Sequence, residues 1–505
     1  MLEIIDSNAS SPPSAGAGNF ASSATLATRG QMRAGLMSRL LRQQSLRLFA
    51  LLAAVEATLL FLAPLLAARL RFAGDSTAVA EALPLPLAQA AVFAIVIWIS
   101  LAALGLYQRH GRLLKGVVVG TLTRLVLAIA SASVVLMVIY FLLPAVELGR
   151  GVLALSLLLA FGSLIVTRLS FSPLIDGRRM RRRVLFLGNG GRAAELLGTR
   201  HFEDELPGVR IVGFADPSPK DDPINPGRRL VLTGPLVDVA FRHRIDDIVV
   251  AADDLRNGLS MDELMSCRLA GIEVLRLDSF YEREYGRVML EGLLPSWFVF
   301  TARFNRSVLR RISKRSFDLL AAFTIALLSW PLMILVALAI WIESGGRGPV
   351  LYRQQRLGEG DLAFRLVKFR SMRTDAEMDG VARWASADDD RVTRVGRVIR
   401  KLRLDELPQL YNVLRGDMSM VGPRPERPEI VAELSRVIPY YRLRHSLSPG
   451  LTGWAQLRYP YGASVDDARE KLRYDLYYIK NQSLLFDLQI LLQTVEVVLF
   501  RRGGR

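Results

Sequence analysis

Between Lys314 and Arg347 the chain carries an apolar run, Phe317 to Ile342, long enough to enter a bilayer and basic at both ends. Arg310, Arg311, Lys314 and Arg315 precede it, and Arg347, Arg353, Arg356, Arg365, Lys368 and Arg370 follow. Lys and Arg beside a membrane segment favour the cytoplasmic side, so a segment basic at both ends should enter and return on one face. Ser329-Trp330-Pro331 supplies the turn. Pro331 has no N–H for Leu327 and its ring crowds the preceding turn, while the Ser329 hydroxyl can recapture a freed carbonyl. The expectation is a re-entrant helix-break-helix, with Ser329 and Pro331 at the break, anchoring a cytosolic C-terminal domain to the inner leaflet. A spanning helix with a proline kink is the competing arrangement.

Of 505 residues, 51% are hydrophobic, too many for an ordinary soluble chain. The net charge of +17 suits nucleic acid, or anionic lipid and phosphorylated substrates. No Lys/Arg block is interleaved with aromatic platforms, and neither a zinc-finger nor a basic-zipper pattern is present. Lipid and phosphate are therefore the expected partners, and nucleic acid is not. The single Cys267 excludes an intramolecular disulfide and a Cys-based zinc site, and four His residues make a His-rich metal centre unexpected.

Residues 1–47 read as a disordered basic tail, rich in Ser, Ala, Gly and Pro between Asp6 and Gly30. No signal peptide is expected, because the first apolar run is too long for an h-region. Residues 48–168 hold four apolar segments, Leu48 to Ala68, Leu87 to Tyr107, Leu125 to Leu143 and Gly151 to Thr167, each near the ~20 residues that cross a hydrocarbon core. Arg and Lys crowd the start, the middle loop and the exit, which places the N-terminus and everything after Thr167 in the cytosol. Glu56 lies inside the first segment, where an ionisable group is expensive. A carboxylate facing a neighbouring helix or held protonated is the favoured account over transport.

From 180 to 300 the pattern becomes short strands alternating with helices, which predicts a parallel, doubly wound, Rossmann-like cytosolic domain. Strands are expected at Val184 to Leu187, Arg210 to Ala215, Asp247 to Ala251 and Ile272 to Leu277, with a helix at Met261 to Ala270. The turn Gly188-Asn189-Gly190-Gly191-Arg192-Ala193 has the glycines, Gly188 and Gly190, of a nucleotide-binding turn. The same turn serves merely to pack a helix on a strand, and a degenerate structural module is the favoured reading.

The last ~190 residues carry denser polar motifs. Lys368 and Arg370 alternate on an expected strand and project to one face, which suits a diphosphate; a solvated face is the plainer account. Leu404 to Leu414 reads as a helix with its apolar side at 407, 410, 411 and 414, closed by Gly416. Asp405 is a good N-cap and Glu406 complements the helix dipole; equally, paired carboxylates beside cations offer a nucleophile and a metal or proton partner. Pro423-Arg424-Pro425 fixes the backbone of one arginine in advance, as phosphoryl transfer requires of its cations. Leu484 to Phe500, apolar but with Asp487, Gln489, Gln493 and Glu496, suits a helix lying on the membrane or covering a core.

Residues from about Lys314 to Phe500 resemble the bacterial sugar transferase family of polyprenyl-phosphate hexose-1-phosphate transferases. The resemblance rests on Lys314-Arg315-x-x-Asp318, Gln355-Arg356-x-Gly358, Lys368-Phe369-Arg370-x-Met372, Leu404-Asp405-Glu406-Leu407-Pro408-Gln409-Leu410, Asn412-Val413-Leu414-x-Gly416-Asp417-Met418-Ser419, Val421-Gly422-Pro423-Arg424-Pro425 and Pro449-Gly450-x-Thr452-Gly453-Trp454-Ala455-Gln456, in that order. Four spans plus a Rossmann-like module resemble the family's long form.

The resemblance implies, over 310–505, an α/β monotopic catalytic domain on a re-entrant helix. It implies a reaction on a UDP-sugar that begins exopolysaccharide or O-antigen assembly at the bacterial inner membrane. Asp405 would attack the sugar-bearing phosphorus, and polyprenyl phosphate would then take the phosphosugar. Glu406, with Asp405, would hold Mg²⁺, and Lys368, Arg370 and Arg424 would bind phosphate. A homodimer has room in this reading without being specified. Two departures stand out: Trp330 separates Ser329 from Pro331, and Leu457 to Gly462 replaces the usual Asn-Gly-Arg pattern. A membrane nucleotide-sugar dehydratase or epimerase fits the first half, yet none of the 13 Tyr residues is followed four positions later by Lys. A non-enzymatic scaffold of polysaccharide export, with the carboxylates as a mere cap, is the other alternative.

Overall fold

A computed structural model describes residues 51–106, 117–175, 181–188, 208–215, 229–251, 260–290, 293, 308–374, 390–459, 462 and 464–500. The expected N-terminal tail and Gly190 lie outside these residues. The chain divides into two compact units; one contains Ile175–Leu277, the other Leu51–Leu174 with Asp278–Arg505.

The membrane helices of the second unit are α1 (Leu51–Arg71), α2 (Ser76–Ala82), α3 (Pro86–Ala103), α4 (Val117–Leu142) and α5 (Arg150–Ile175). Three of the four expected segments are single helices long and apolar enough to span. The second differs: α3 qualifies only together with α2, across a break that bends the pair by 56°. Pro84 lies in the break, and Pro86 occupies the first turn of α3, where its missing N–H leaves no bond unmade. Ala63, Ala67, Ala128, Ala132 and Ala160 are buried in the bundle core beside Phe93, Ile97 and Leu164, small residues that let helices approach closely. Glu56 is fully buried. Both its oxygens lie 2.9 Å from the Arg168 guanidinium, which also donates to the Leu106 carbonyl at 3.2 Å. The carboxylate thus faces a neighbouring helix, as the sequence suggested.

The other unit is a parallel sheet in the order β2-β1-β3-β4, made of β1 (Arg182–Leu187), β2 (Val209–Ala215), β3 (Asp247–Val250) and β4 (Glu273–Arg276). Its helices are α6 (Leu236–Arg242) and α7 (Met261–Leu269). All four strands fall where apolar runs predicted them, and Val184 to Leu187 and Ile248 to Val250 are buried, as the central strands of a parallel sheet are. Gly188 ends β1 with φ +90°, a conformation that favours glycine.

The C-terminal part of the second unit begins with α8 (Leu277–Tyr285) and the long α9 (Val308–Glu343), then the antiparallel hairpin β5 (Leu351–Leu357) and β6 (Ala363–Phe369). There follow α10 (Arg394–Lys401), α11 (Gln409–Arg415), β7 (Ser419–Val421), α12 (Pro428–Val437), β8 (Gly450–Thr452), α13 (Trp454–Arg458), α14 (Val465–Asn481) and α15 (Leu484–Phe500). Strands β7 and β8 pair in parallel under α9 and α15. α15 covers the core with Ile490, and Asp487 and Gln489 are buried there too.

The expected break at Ser329-Trp330-Pro331 is not an interruption: helix runs unbroken from Val308 to Glu343 with Pro331 inside it. The Ser329 hydroxyl lies 3.7 Å from Met333 Sδ rather than on a freed carbonyl. Leu327, Leu328, Trp330 and Leu335 are exposed around the proline, whereas both ends of α9 are held. Near the start, Lys314 sits 2.9 Å from Asp318 and 3.0 Å from Asp487, and Asp318 accepts from Ser419 Oγ and Met420 N. Arg315 donates to the Val413 and Leu414 carbonyls, neutralising the C-terminus of α11. At the far end, Val336 and Ile340 pack on Phe369 and Ile399, and the Glu343 carboxylate accepts from Val395 N at 3.1 Å.

Candidate active site

The site is built on a turn that secondary-structure propensity does not announce. Arg403 adopts a left-handed backbone, φ 58°, ψ 18°, and reverses the chain after α10. Leu404–Glu406 then forms a single 3₁₀ turn, and α11 begins only at Gln409. Pro408 marks the delay: it has no N–H to donate back to the Leu404 carbonyl, which Leu407 N takes instead in the 3₁₀ turn. The expected helix over Leu404 to Leu414 is thus shorter, and its buried side is Gln409, Leu410, Asn412 and Val413, with Tyr411 and Leu414 exposed. Asn412 turns inward because its amide is fully used: Oδ1 accepts from Val367 N at 3.0 Å, and Nδ2 donates to the Arg365 carbonyl and to Asp417. Gly416 closes α11 at φ +103°, as expected.

Asp405 caps nothing. No side chain donates or accepts at either helix start here, and among the described residues no hydrogen bond or ion pair holds its carboxylate. Glu406, by contrast, sits among cations. Its Oε1 lies 2.8 Å from Arg424 Nη2, 3.7 Å from Arg403 and 3.8 Å from Lys368 Nζ. Leu404 and Leu407, on either side of the pair, pack with Val336 and Ile340 of α9. The far half of the membrane helix is the floor of this turn.

The electrostatics separate the two acids. Burial and the Glu406 charge push Asp405 up to about 6, against the pull of Lys368, Arg424 and Arg400. Burial would also raise Glu406, but Arg424, Lys368 and Arg403 outweigh it and bring the group to about 2. Burial lowers Lys368 to about 8, opposed by Glu406. One carboxylate is therefore locked as an anion among cations. The other is half-buried and held above the usual carboxylate range, at about 6.

Of the sequence-predicted residues, Asp405, Glu406, Lys368 and Arg424 come together. Arg370 does not join them: it stands one residue past the end of β6, and its guanidinium donates to Ser344 Oγ at the C-terminus of α9. Arg400 and Arg403 were missed, since only the left-handed turn brings them near the acids. The Pro423-Arg424-Pro425 turn is held by backbone pairing, with Gly422 N donating to the Thr452 carbonyl at 2.9 Å and Gly450 N to that of Pro423 at 2.9 Å. Trp454 donates its indole N–H to the Gly286 carbonyl at 2.7 Å and lies under the Arg458 guanidinium, 4.1 Å from the ring centre.

Residues 309–501 match the family described as bacterial sugar transferase. The chain is 44% identical over 263 residues, 51% of its length, to a UDP-N-acetylgalactosamine-undecaprenyl-phosphate N-acetylgalactosaminephosphotransferase of Aeromonas hydrophila, covering 60% of that protein. It is 35% identical over 336 residues, 65% of its length, to an undecaprenyl-phosphate glucose phosphotransferase of Komagataeibacter xylinus, covering 61% of it. An exopolysaccharide production protein PSS of Rhizobium leguminosarum bv. phaseoli is 40% identical over 199 residues, 38% of this chain and 98% of that one. The chain thus spans about three fifths of the first two relatives and nearly the whole of the third. With the motifs, the carboxylate pair and these matches in agreement, the chain belongs to the bacterial sugar transferase family.

Proposed function

We propose that this chain transfers a hexose-1-phosphate from a UDP-sugar to polyprenyl phosphate, releasing UMP, as the first step of exopolysaccharide or O-antigen synthesis. The observation that carries it is the split carboxylate pair: Asp405 unpartnered beside Glu406, which Arg424 holds at 2.8 Å. An Asp405 oxygen attacks the sugar-bearing phosphorus. The bond from that phosphorus to the bridging oxygen breaks, and UMP leaves with the electron pair. A polyprenyl phosphate oxygen then attacks the same phosphorus and expels the Asp405 carboxylate, which ends as it began. Lys368 and Arg424 neutralise charge on the transferring group.

Among the described residues no group of three or more His, Cys, Asp or Glu side chains could hold a metal. Two adjacent carboxylates nevertheless fit Mg²⁺, which commonly takes one or two from the protein and the rest from phosphate and water. Asp405 and Glu406 would hold it, and when bound it would neutralise the diphosphate. Arg370, tied to Ser344, is assigned to the C-terminus of α9 instead of to phosphate.

The held ends of α9 support a re-entrant helix: both pack on one α/β domain, while the exposed apolar middle needs lipid. We read the catalytic domain as cytosolic at the bacterial inner membrane and the parallel-sheet unit as Rossmann-like. The test is UMP release by the full chain in nanodiscs with Mg²⁺ and polyprenyl phosphate across UDP-sugars, with a sugar-labelled donor. Label retained on denatured protein and absent from Asp405→Asn supports the covalent route. Release without retained label in any quench would remove the intermediate, and no release from any donor would remove the transferase reading.

A further inference from the structure

The turn Pro423-Arg424-Pro425 has three successive carbonyls, and each takes a donor from a different part of the chain. Gly450 N donates to Pro423 at 2.9 Å, Arg444 Nη2 to Arg424 at 3.0 Å and Arg356 Nη1 to Pro425 at 3.3 Å. The two prolines have no N–H, so at those positions the backbone can be held only through its acceptors. The donor on Arg424 itself is a buried charge. Arg444 is 4% exposed, its Nη2 also lies 3.0 Å from Asp475 Oδ2, and its Nη1 donates to Tyr441 Oη at 2.5 Å. Asp475 is 2% exposed, on the inner face of α14. Arg356 is anchored in turn, 3.3 Å from the Glu426 carboxylate.

A buried ion pair is a poor means of gaining stability, because desolvation offsets most of the attraction. An apolar pair of the same volume would hold α14 to the 3₁₀ turn Tyr441–Ser446 as well. What an apolar pair cannot do is donate to the Arg424 carbonyl. Resting on the transferase reading, we propose that Arg444, braced by Asp475, and Arg356 are positioning residues that fix Arg424 at the angle from which its guanidinium meets Glu406 and the transferring phosphoryl group. They touch neither reacting atoms nor the carboxylate pair; they act by immobilising the backbone of the residue that does.

The chemistry fits the placement. Arg424 must hold one carboxylate and stabilise charge that appears only as the phosphorus is attacked, and its contribution falls with any freedom to follow the substrate. Arg444→Lys keeps the charge opposite Asp475 but loses the fork that serves three acceptors at once.

The experiment is a double-mutant cycle on the full chain in nanodiscs, reading UMP release from UDP-glucose and UDP-N-acetylgalactosamine. In Arg444→Lys, kcat falls about 10- to 100-fold while KM for the donor moves less than about threefold. In an Arg424→Ala background the same change has no further effect, because nothing is left to position. The charge-free pair Arg444→Met with Asp475→Leu guards against misfolding; it keeps the melting temperature and shows the same drop in kcat. Arg356→Lys gives a smaller drop that also vanishes without Arg424. Losses that multiply with Arg424→Ala, or that follow the melting temperature from variant to variant, would overturn the proposal. Binding of UMP with orthovanadate, a mimic of the attacked phosphorus, runs the same cycle by calorimetry without turnover: about tenfold weaker in Arg444→Lys, unchanged by it in Arg424→Ala. Coupling in binding with no UMP release from any donor would count against the transferase reading alone; no coupling in either would count against the positioning.

Discussion

Arg424 Nη2 lies 2.8 Å from Glu406 Oε1, and the carboxylate just before it in the chain, Asp405, has no such partner among the described residues. One contact therefore assigns different work to two neighbouring acids. Glu406 is held as an anion that organises cations; Asp405 is left available for the nucleophilic role proposed above.

Replacing the proposed nucleophile should be far worse than loosening its neighbour. Asp405→Asn is expected to lower UMP release by roughly 10³-fold or more, with the fold intact because among the described residues the carboxylate makes no hydrogen bond or cap. Glu406→Gln should lower turnover and also stability, since Arg424, Lys368 and Arg403 lose their common anion. Steady-state rates with thermal melting separate the two.

The pH dependence follows from the same arrangement. Asp405 must be ionised to attack, and burial raises it to about 6, so turnover should fall as pH drops through that value. Lys368 must be charged, and burial lowers it to about 8, so a second fall is expected as pH rises past it. A bell between those limbs is the expected profile of kcat/KM. In Lys368→Arg the alkaline limb should move out of range, because guanidinium does not deprotonate there.

The ends of α9 should label from one side of the bilayer. With Cys267 replaced by Ser, single cysteines at Val308 and Gly346 should both react with an impermeant maleimide only in inside-out vesicles. Labelling from opposite sides would establish a spanning helix and remove the re-entrant reading.

Ile340 is 3% exposed and packs against Phe369 and Ile399 in the cluster that includes Leu404 and Leu407. Ile340→Ala should cost about 2–4 kcal/mol by the cavity it leaves. It should also depress turnover beyond the unfolded fraction, because the Asp405-Glu406 turn loses its support. Melting in detergent against activity in the same sample is the check.

The four strands of the parallel sheet and Gly416 as a helix stop were legible, because periodicity and end signals are local. The face of α11 was not. Pro408 delays the helix and Asn412 turns inward for hydrogen bonds from a distant strand. Arg370 was misplaced since alternation predicts a face only while the strand continues, and β6 stops at Phe369. Arg400 and Arg403 depend on a left-handed arginine, a conformation that few non-glycine residues adopt and that no residue type announces. Arg444 and Asp475 are separated by thirty-one positions and meet only in the fold.

The packing of α9 beneath the Asp405-Glu406 turn has a practical side. Trimming the greasy helix to obtain a water-soluble enzyme would remove the bench on which the chemistry is mounted. A usable soluble form would need the interior flank of that helix, Val336, Ile340 and Glu343, kept letter for letter, with polar residues substituted only at outward positions such as Leu328 and Leu335.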